Sequence, residues 1–135
     1  MIQMKYRKMA LVAVVIIALT AIFAGCANAP MEGPQISVNV VITAEEELLK
    51  EDVLVNEEST ADKAILIACQ SKKLAYTLKD GMFDYFGAIA STQTDGWLFY
   101  VNGTLADVGA AQYKLQDGDV VEFIYQNYDE AFTLF

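Results

Sequence analysis

The sequence predicts an α+β domain in which one helix covers a mixed β-sheet. Residues 97–101 and 120–125 alternate between apolar and other side chains, and this period of two is typical of strands. Residues 36–42 alternate in the same way, with four aliphatic side chains on one face. Residues 61–69 instead repeat apolar side chains at helical spacing. Strands that follow one segregated helix favour an α+β architecture, and the size and element order favour a small β-grasp-like sheet.

The N-terminal segment has the pattern of a secretory signal. A basic start is followed by an apolar run over residues 9–24 and by small residues before Cys26. The sequence Ala-Gly-Cys resembles the cleavage box of bacterial lipoproteins, although Phe23 stands where leucine is more usual. We therefore expect residues 1–25 to be a lipoprotein signal peptide, Cys26 to be lipidated, and residues 26–35 to link it to a domain at 36–135.

The alternative for this segment is a single transmembrane anchor. The absence of positive residues directly after Cys26 favours the lipoprotein. Either interpretation predicts a domain outside the cytoplasm, and the lipoprotein predicts attachment to the extracytoplasmic face of a bacterial cell membrane. The N-terminal lipid would then be the contact with the membrane.

The remaining elements follow from period and punctuation. Strands are predicted at 36–42, 53–55, 75–78, 82–86, 97–101, 120–125 and, at the tail, 131–135. A charged hairpin tip separates the first two strands, a loop occupies 87–95, and an irregular connection occupies 104–116. Ser59 and Asp62 frame the start of the helix as a capping pair. Cys69, on the apolar face of that helix, is interpreted as a buried core residue rather than a reactive thiol.

Three turn signals punctuate the aromatic strands. Each is an Asp-Gly or Asn-Gly pair, a type of dipeptide that supplies the positive φ of tight turns. The predicted turn-forming residues are Gly96, which follows Asp95, together with Asn102, Gly103, Asp117 and Gly118.

The sequence Gly-Trp-Leu-Phe-Tyr-Val-Asn-Gly at 96–103, with Tyr-Lys-Leu-Gln-Asp-Gly-Asp at 113–119, carries a family resemblance. It resembles the C-terminal β-domain of the transcobalamin and intrinsic-factor group, and more closely the transcobalamin-like domains of bacterial surface lipoproteins. The resemblance covers residues 36–127 and implies cobalamin or another corrinoid as the ligand. The large helical half of those carriers has no counterpart here, so the ligand would be bound alone or with a partner protein. Tyr85, Phe86 and the loop at 87–94 lie where the resemblance implies ligand contacts.

Composition excludes several function classes. From Cys26 onward, six basic residues stand against eighteen acidic ones, a formal charge of −12, so we exclude nucleic acid as a partner. The chain has no histidine and two cysteines, which leaves no hydrolase triad and no zinc cluster. The acid pairs Asp117/Asp119 and Asp80/Asp84 could in principle do acid–base work, but a turn explains Asp117-Gly118-Asp119. We therefore expect no enzyme activity, no metal site and no covalent cofactor except the lipid.

Aromatic side chains supply the candidate binding surface. They exceed what one small core requires, so half of them could form a platform for a flat ligand. The alternative is that the helix and loops cover them all. The candidate ligand-binding residues are Tyr85, Phe86, Trp97, Tyr100 and Tyr125. The predicted function is a lipid-anchored extracytoplasmic binding module for a corrinoid or similar flat ligand. The alternative is a structural or adhesive module that binds another surface protein through a sheet edge.

Overall fold

A computed structural model describes residues 33–133. The elements in chain order are β1 (Gln35–Thr43), β2 (Glu47–Asn56), α1 (Ala61–Lys72), β3 (Tyr76–Lys79), β4 (Met82–Phe86), β5 (Ile89–Ala90), β6 (Asp95–Val101), β7 (Thr104–Leu105), β8 (Val120–Asn127) and α2 (Tyr128–Phe132). The predicted signal peptide, the lipidated Cys26 and most of the linker lie outside the described residues. Among residues 33–133, no helix has the length and apolar character needed to cross a membrane.

Two sheets organise the described residues. The larger has the order β2-β1-β8-β6-β7, in which β1 and β8 are parallel and every other neighbouring pair is antiparallel. The smaller is the antiparallel sheet β3-β4-β5. The α+β class with a mixed sheet is therefore confirmed. Residues Glu32–Phe135 form one compact unit that contains all of the described core, so this unit carries its own core.

The core lies on one face of the larger sheet, which we call the inner face. Alternate residues of β1 are buried there, and the parallel register places Val40 beside Val121 and Ile42 beside Phe123. Helix α1 packs on this face over β2 and β1. Because three of its buried residues are alanines, its backbone can approach the sheet closely. The buried residues of α1 are Ala61, Ala64, Ile65, Ala68 and Cys69.

An aromatic cluster fills the space between the two sheets. The Phe86 ring stacks on Phe83 at 5.2 Å between centroids and meets Trp97 edge-on at 5.0 Å. Phe123 of β8 lies 5.2 Å from Phe86. Edge-on and offset contacts of this kind stabilise by about 0.5–1.5 kcal/mol per pair beyond the area they bury. Two of the predicted ligand-binding residues, Phe86 and Trp97, thus belong to the core.

The start of α1 differs from the predicted cap. The N-cap residue is Thr60 rather than Ser59, and its hydroxyl donates to the Asp62 carboxylate at 2.5 Å instead of capping a backbone N–H. The first two amides of the helix donate to the carbonyls of Tyr113 and Ala110, at 2.9 and 3.1 Å. The irregular connection between β7 and β8 therefore supplies hydrogen-bond acceptors for the first amides of the helix, because the N-cap side chain supplies none.

The predicted strand at the tail is wrong. β8 continues to Asn127, and the one-turn helix α2 follows it. The Asn127 side chain accepts hydrogen bonds from the backbone amides of Asp129 and Glu130, at 3.0 and 3.2 Å. An asparagine N-cap followed by two acids in the first turn stabilises a helix start, and this outweighs the apolar character of the tail.

Gly96 does not form a turn, which corrects the prediction for Asp95-Gly96. It lies inside β6, paired with Gln126, and has no positive φ. A Cβ at this position would overlap the phenol end of Tyr128. The glycine is required because the first residue of α2 packs across the strand, and local sequence does not report that contact.

We expect Gly96→Ala to destabilise the domain by about 1–3 kcal/mol, because the added methyl displaces the Tyr128 ring. Denaturant unfolding measures the effect. In a Tyr128→Ala background the same substitution should cost much less. Gly109→Ala is the matched control, since a Cβ there has no neighbour within 4 Å. An equal cost of Gly96→Ala in both backgrounds would contradict the packing contact.

A second prediction concerns Cys69, which is fully buried. Burial raises the pKa of its thiol from 9.0 to about 12. The folded state thus favours the neutral thiol, so the stabilisation is complete below pH 9.0 and is lost as the pH rises toward 12. We expect wild type to lose up to about 1.4 kcal/mol per pH unit more than Cys69→Ala across this window. Parallel unfolding curves at pH 8 to 11 test this; identical slopes for the two proteins would contradict it.

Candidate functional site

The parallel pairing of β1 and β8 brings their carboxyl ends to one end of the sheet, beside the start of the antiparallel β6. Two adjoining concavities lie there and share Glu45 and Tyr125 as lining residues. Their volumes are about 380 and 640 Å³. We call them together the carboxyl-end groove.

The smaller half of the groove is mainly apolar. It is lined by Ala44, Leu48, Ile89 and Tyr125, with Glu45 and Glu46 at its rim. The Tyr125 hydroxyl donates to the carbonyl of Ala90 at 3.0 Å, and its ring lies 5.2 Å from the Trp97 ring. Because both ends of the side chain are held, Tyr125 presents a fixed aromatic wall.

The larger half of the groove is more polar. The Tyr100 hydroxyl donates to Oε1 of Gln126 at 2.5 Å, which fixes both side chains on the sheet. Ala131 of α2 lies at one side of this half. The acidic residues that line this half are Glu45, Asp95 and Glu130. The Asp95 carboxylate accepts a hydrogen bond from the Thr94 hydroxyl at 2.6 Å.

The charges of the groove all have one sign. Four carboxylates line its two halves, at Glu45, Glu46, Asp95 and Glu130, and no lysine or arginine is among the lining residues. Such a surface repels anions and attracts cations. Across residues 33–133 there is no group of three or more acid, cysteine or histidine side chains arranged to hold a metal ion. The charge of the groove therefore favours a neutral or cationic ligand over an anion.

The structure separates the predicted ligand-binding residues. Tyr100 and Tyr125 line the groove. Trp97, 6 % exposed, lies behind Tyr125 and donates its indole N–H to the carbonyl of Ile89 at 2.9 Å. Phe86 is fully buried, and Tyr85 is half-buried on β4 outside the lining residues. Phe86 and Trp97 therefore lie in the core and outside the residues that line the groove.

Several groove residues were missed in the sequence because their segments were interpreted as solvated connections. Ala44, Glu45 and Glu46 form the turn between β1 and β2, and Ile89 lies in the predicted loop at 87–95. The available signal was topological. If β1 is paired parallel to β8, the turn after β1 must lie beside the end of β8.

The predicted turn motif lies at the opposite end of β8. Asn102 (φ 51°), Gly103 (φ 81°) and Gly118 (φ 83°) adopt the left-handed conformation that such turns need. Asn102 and Gly103 join β6 to β7 across the pair Val101–Thr104. These residues shape the end of the sheet remote from the groove.

The acids of this motif are occupied by backbone and side-chain donors. Asp117 accepts from the Ser37 amide at 2.9 Å. One oxygen of the buried Asp119 accepts from the Asn102 amide at 3.0 Å, and the other accepts from the Gln116 N–H at 2.9 Å. Burial, and then the charge and hydrogen bond of Asp119, raise the pKa of Tyr113. This cluster ties the turn before β8 to the start of β1.

Comparisons with known proteins identify the type of domain. The family model "Domain of unknown function (DUF4430)" matches residues 58–127. A search of curated proteins found no match. Among solved structures, 17 chains match. Haptocorrin in complex with cobinamide (Cbi) matches with a TM-score of 0.63 and 16% identity over 75% of this chain. A protein from Ruminococcus gnavus ATCC 29149, proposed to bind metal, matches with a TM-score of 0.48 and 10% identity, over 68% of this chain and 97% of that one.

The haptocorrin match confirms the predicted resemblance at the level of the fold. This chain spans only 27% of the haptocorrin chain, so the match concerns one part of that protein. The family match covers more than half of the 135-residue chain. The chain therefore belongs to the family of the DUF4430 domain.

Proposed function

We propose that this protein is a binding module whose carboxyl-end groove holds one side of a corrinoid or a similar flat ligand. The observation that carries the proposal is the fixed aromatic ring of Tyr125 beside the apolar lining residues Ala44, Leu48 and Ile89. The likeness of the fold to part of haptocorrin, solved with cobinamide, supports it. The parallel central pair β1–β8, with β1–β2 on one side and β6–β7 on the other, supports a β-grasp-like sheet.

The shape of the groove favours a flat ligand that remains partly open. Ligand pockets commonly measure about 300–1,000 Å³ and bury most of the ligand. Each half of the groove is within that range, but both are open and lie side by side along Tyr125. A planar ligand laid across Tyr125 would keep one face uncovered. We propose that a second protein covers that face.

The charge of the groove selects among corrinoids. The cobalt centre of a corrinoid carries positive charge, which four carboxylates at the rim favour. Cobalamin carries a phosphate group, whereas cobinamide does not. Because the rim repels phosphate, the groove should bind cobinamide more tightly than cobalamin.

Binding, rather than catalysis, is supported by the roles of the acids. Asp117 and Asp119 are hydrogen-bonded within the turn before β8. Asp80 sits at the turn between β3 and β4 with φ 52°. None of these acids lines the groove.

The groove predicts a difference between matched charge changes. Glu45→Lys should weaken cobinamide binding by at least about threefold, because it places a cation at the shared rim. Glu57→Lys is the control, since the same change at the opposite end of the sheet alters net charge alone. Visible absorbance and the fluorescence of Trp97, the single tryptophan, follow the titration of residues 27–135. No saturable change with either corrinoid up to about 1 mM would reject the proposal for this chain.

We also propose that the module is lipid-anchored through Cys26 on the extracytoplasmic face of a bacterial membrane. The basic start, apolar run and Ala-Gly-Cys box support this assignment. Acyl chains contribute about 0.8 kcal/mol per buried CH₂, so two or more hold a protein stably. Cys26→Ser should remove the acylated N-terminus, measured by mass spectrometry of the membrane fraction. An acylated product from this variant would contradict the assignment.

A further inference from the structure

Strand β2 is a long free edge of the larger sheet. It runs from Glu47 to Asn56 and is paired on one side with β1, whereas the strand at the other edge, β7, has two residues. A bulge near Ile42 and Thr43 leaves the part of β2 from Leu49 onward in regular register. An edge strand presents unpaired backbone N–H and C=O groups, and this makes it a template for another strand.

Apolar side chains are exposed on both sides of this edge. Leu54 of β2 is 54% exposed on the outer face of the sheet, and Ile67 of α1 is 41% exposed. The Ser71 hydroxyl, one helical turn after Ile67, donates to Oε1 of Glu51 at 2.9 Å. Ile67 therefore lies on the side of α1 that faces the edge strand.

We propose that two copies of this chain associate through antiparallel pairing of their β2 edges, with the two-fold axis at Glu51. The larger sheets of the two copies then join into one continuous sheet, and the outer faces of both copies lie on the same side of it. Directly opposite residues in an antiparallel pair share a face. This register places Lys50 of each copy opposite Asp52 of the other, which gives two symmetric ion pairs. The exposed Leu54 side chains come to lie at the two ends of the paired stretch.

Charge selects this register and this occupant. Moving the axis by one residue toward Lys50 places the two lysines opposite each other, and moving it toward Asp52 does the same for the two aspartates. Both arrangements lose the two ion pairs and oppose like charges on the outer face, which destabilises a pair of strands. Lys50 and Asp52 are exposed on the outer face. There, one carboxylate oxygen of Asp52 accepts a hydrogen bond from the side-chain amide of Asn39 at 3.0 Å. Because β2 itself supplies both charges in complementary positions, a second copy fits the edge better than an unrelated strand.

One interaction opposes the pairing and keeps it reversible. The Glu51 side chains of the two copies meet at the axis on the inner face. One oxygen of Glu51 is bonded to Ser71, while Oε2 is buried without a hydrogen-bond partner within the described residues. Glu51→Gln removes the like charge and keeps the acceptor for Ser71. We expect this variant to dimerise about two- to fivefold more tightly.

Charge variants test the proposal in residues 27–135, a fragment that contains the compact unit with its own core. Lys50→Asp and Asp52→Lys should each weaken self-association by at least about tenfold, because each turns two ion pairs into two repulsions. An equal mixture of the two variants should recover dimers close to the wild-type affinity, since positions 50 and 52 then oppose charges of opposite sign while the Glu51 pair is unchanged. Sedimentation equilibrium measures all three samples.

Lys79→Asp is the matched control, because Lys79 is an exposed lysine at an edge strand of the smaller sheet. It should leave dimerisation unchanged, and circular dichroism checks that every variant is folded. A wild-type chain that stays monomeric up to about 1 mM overturns the proposal. So does a dimer that ignores both β2 substitutions, or a mixture that fails to recover association. In those cases the edge is left for another protein.

Discussion

The parallel pairing of β1 with β8 is the constraint on which the rest of the structure depends. Five consecutive residues pair, from Asn39 beside Val120 to Thr43 beside Ile124, although the strands lie at opposite ends of the domain sequence. At their amino ends, the backbone N–H of Asn39 donates to the Asp119 carbonyl at 2.9 Å, and the Asp117 carboxylate accepts from the backbone N–H of Ser37. The carboxyl ends lead into the turn between β1 and β2 and into α2, and residues of both line the groove. This one pairing thus places the Asp117–Asp119 turn at one end of the sheet and the groove at the other.

The wall of the groove is also the last ring of the core cluster. Tyr125 contacts Trp97, Trp97 contacts Phe86, and Phe86 contacts Phe83, each with ring centroids 5.0 to 5.2 Å apart. Close-packed interiors resist displacement of any one member. A ligand bound in the groove would therefore meet a surface whose position is set by the core, so little ordering cost would fall on binding. The same contact makes Trp97 a reporter of events at Tyr125 without making it a ligand contact.

Sequence pattern predicted the features that depend on nearby residues. The alternation in β1, β6 and β8 and the buried face of α1 were read directly from period. Two of the failures share a cause, which is a contact with a residue distant in sequence. Gly96 is packed against Tyr128. The backbone amides at the start of α1 donate hydrogen bonds to carbonyls in the connection after β7. Counting aromatics could not separate Tyr100 and Tyr125, which line the groove, from the buried Phe86, because only sheet pairing decides which ring lies inside.

The acidity of the domain bears on both proposed interactions. Residues 33–133 carry six lysines against seventeen acids, so two copies, or a copy and an anion, repel at long range. In physiological salt that repulsion is screened beyond about 8 Å, whereas groups in direct contact are screened much less. Specificity must then come from local charge. At β2 the local charges are Lys50 and Asp52, which lie two residues apart. At the groove they are four carboxylates, and no lysine or arginine among the lining residues neutralises them. The net negative charge thus opposes nonspecific association, whereas the positions of the charges at β2 and at the groove rim select the partners of these two surfaces.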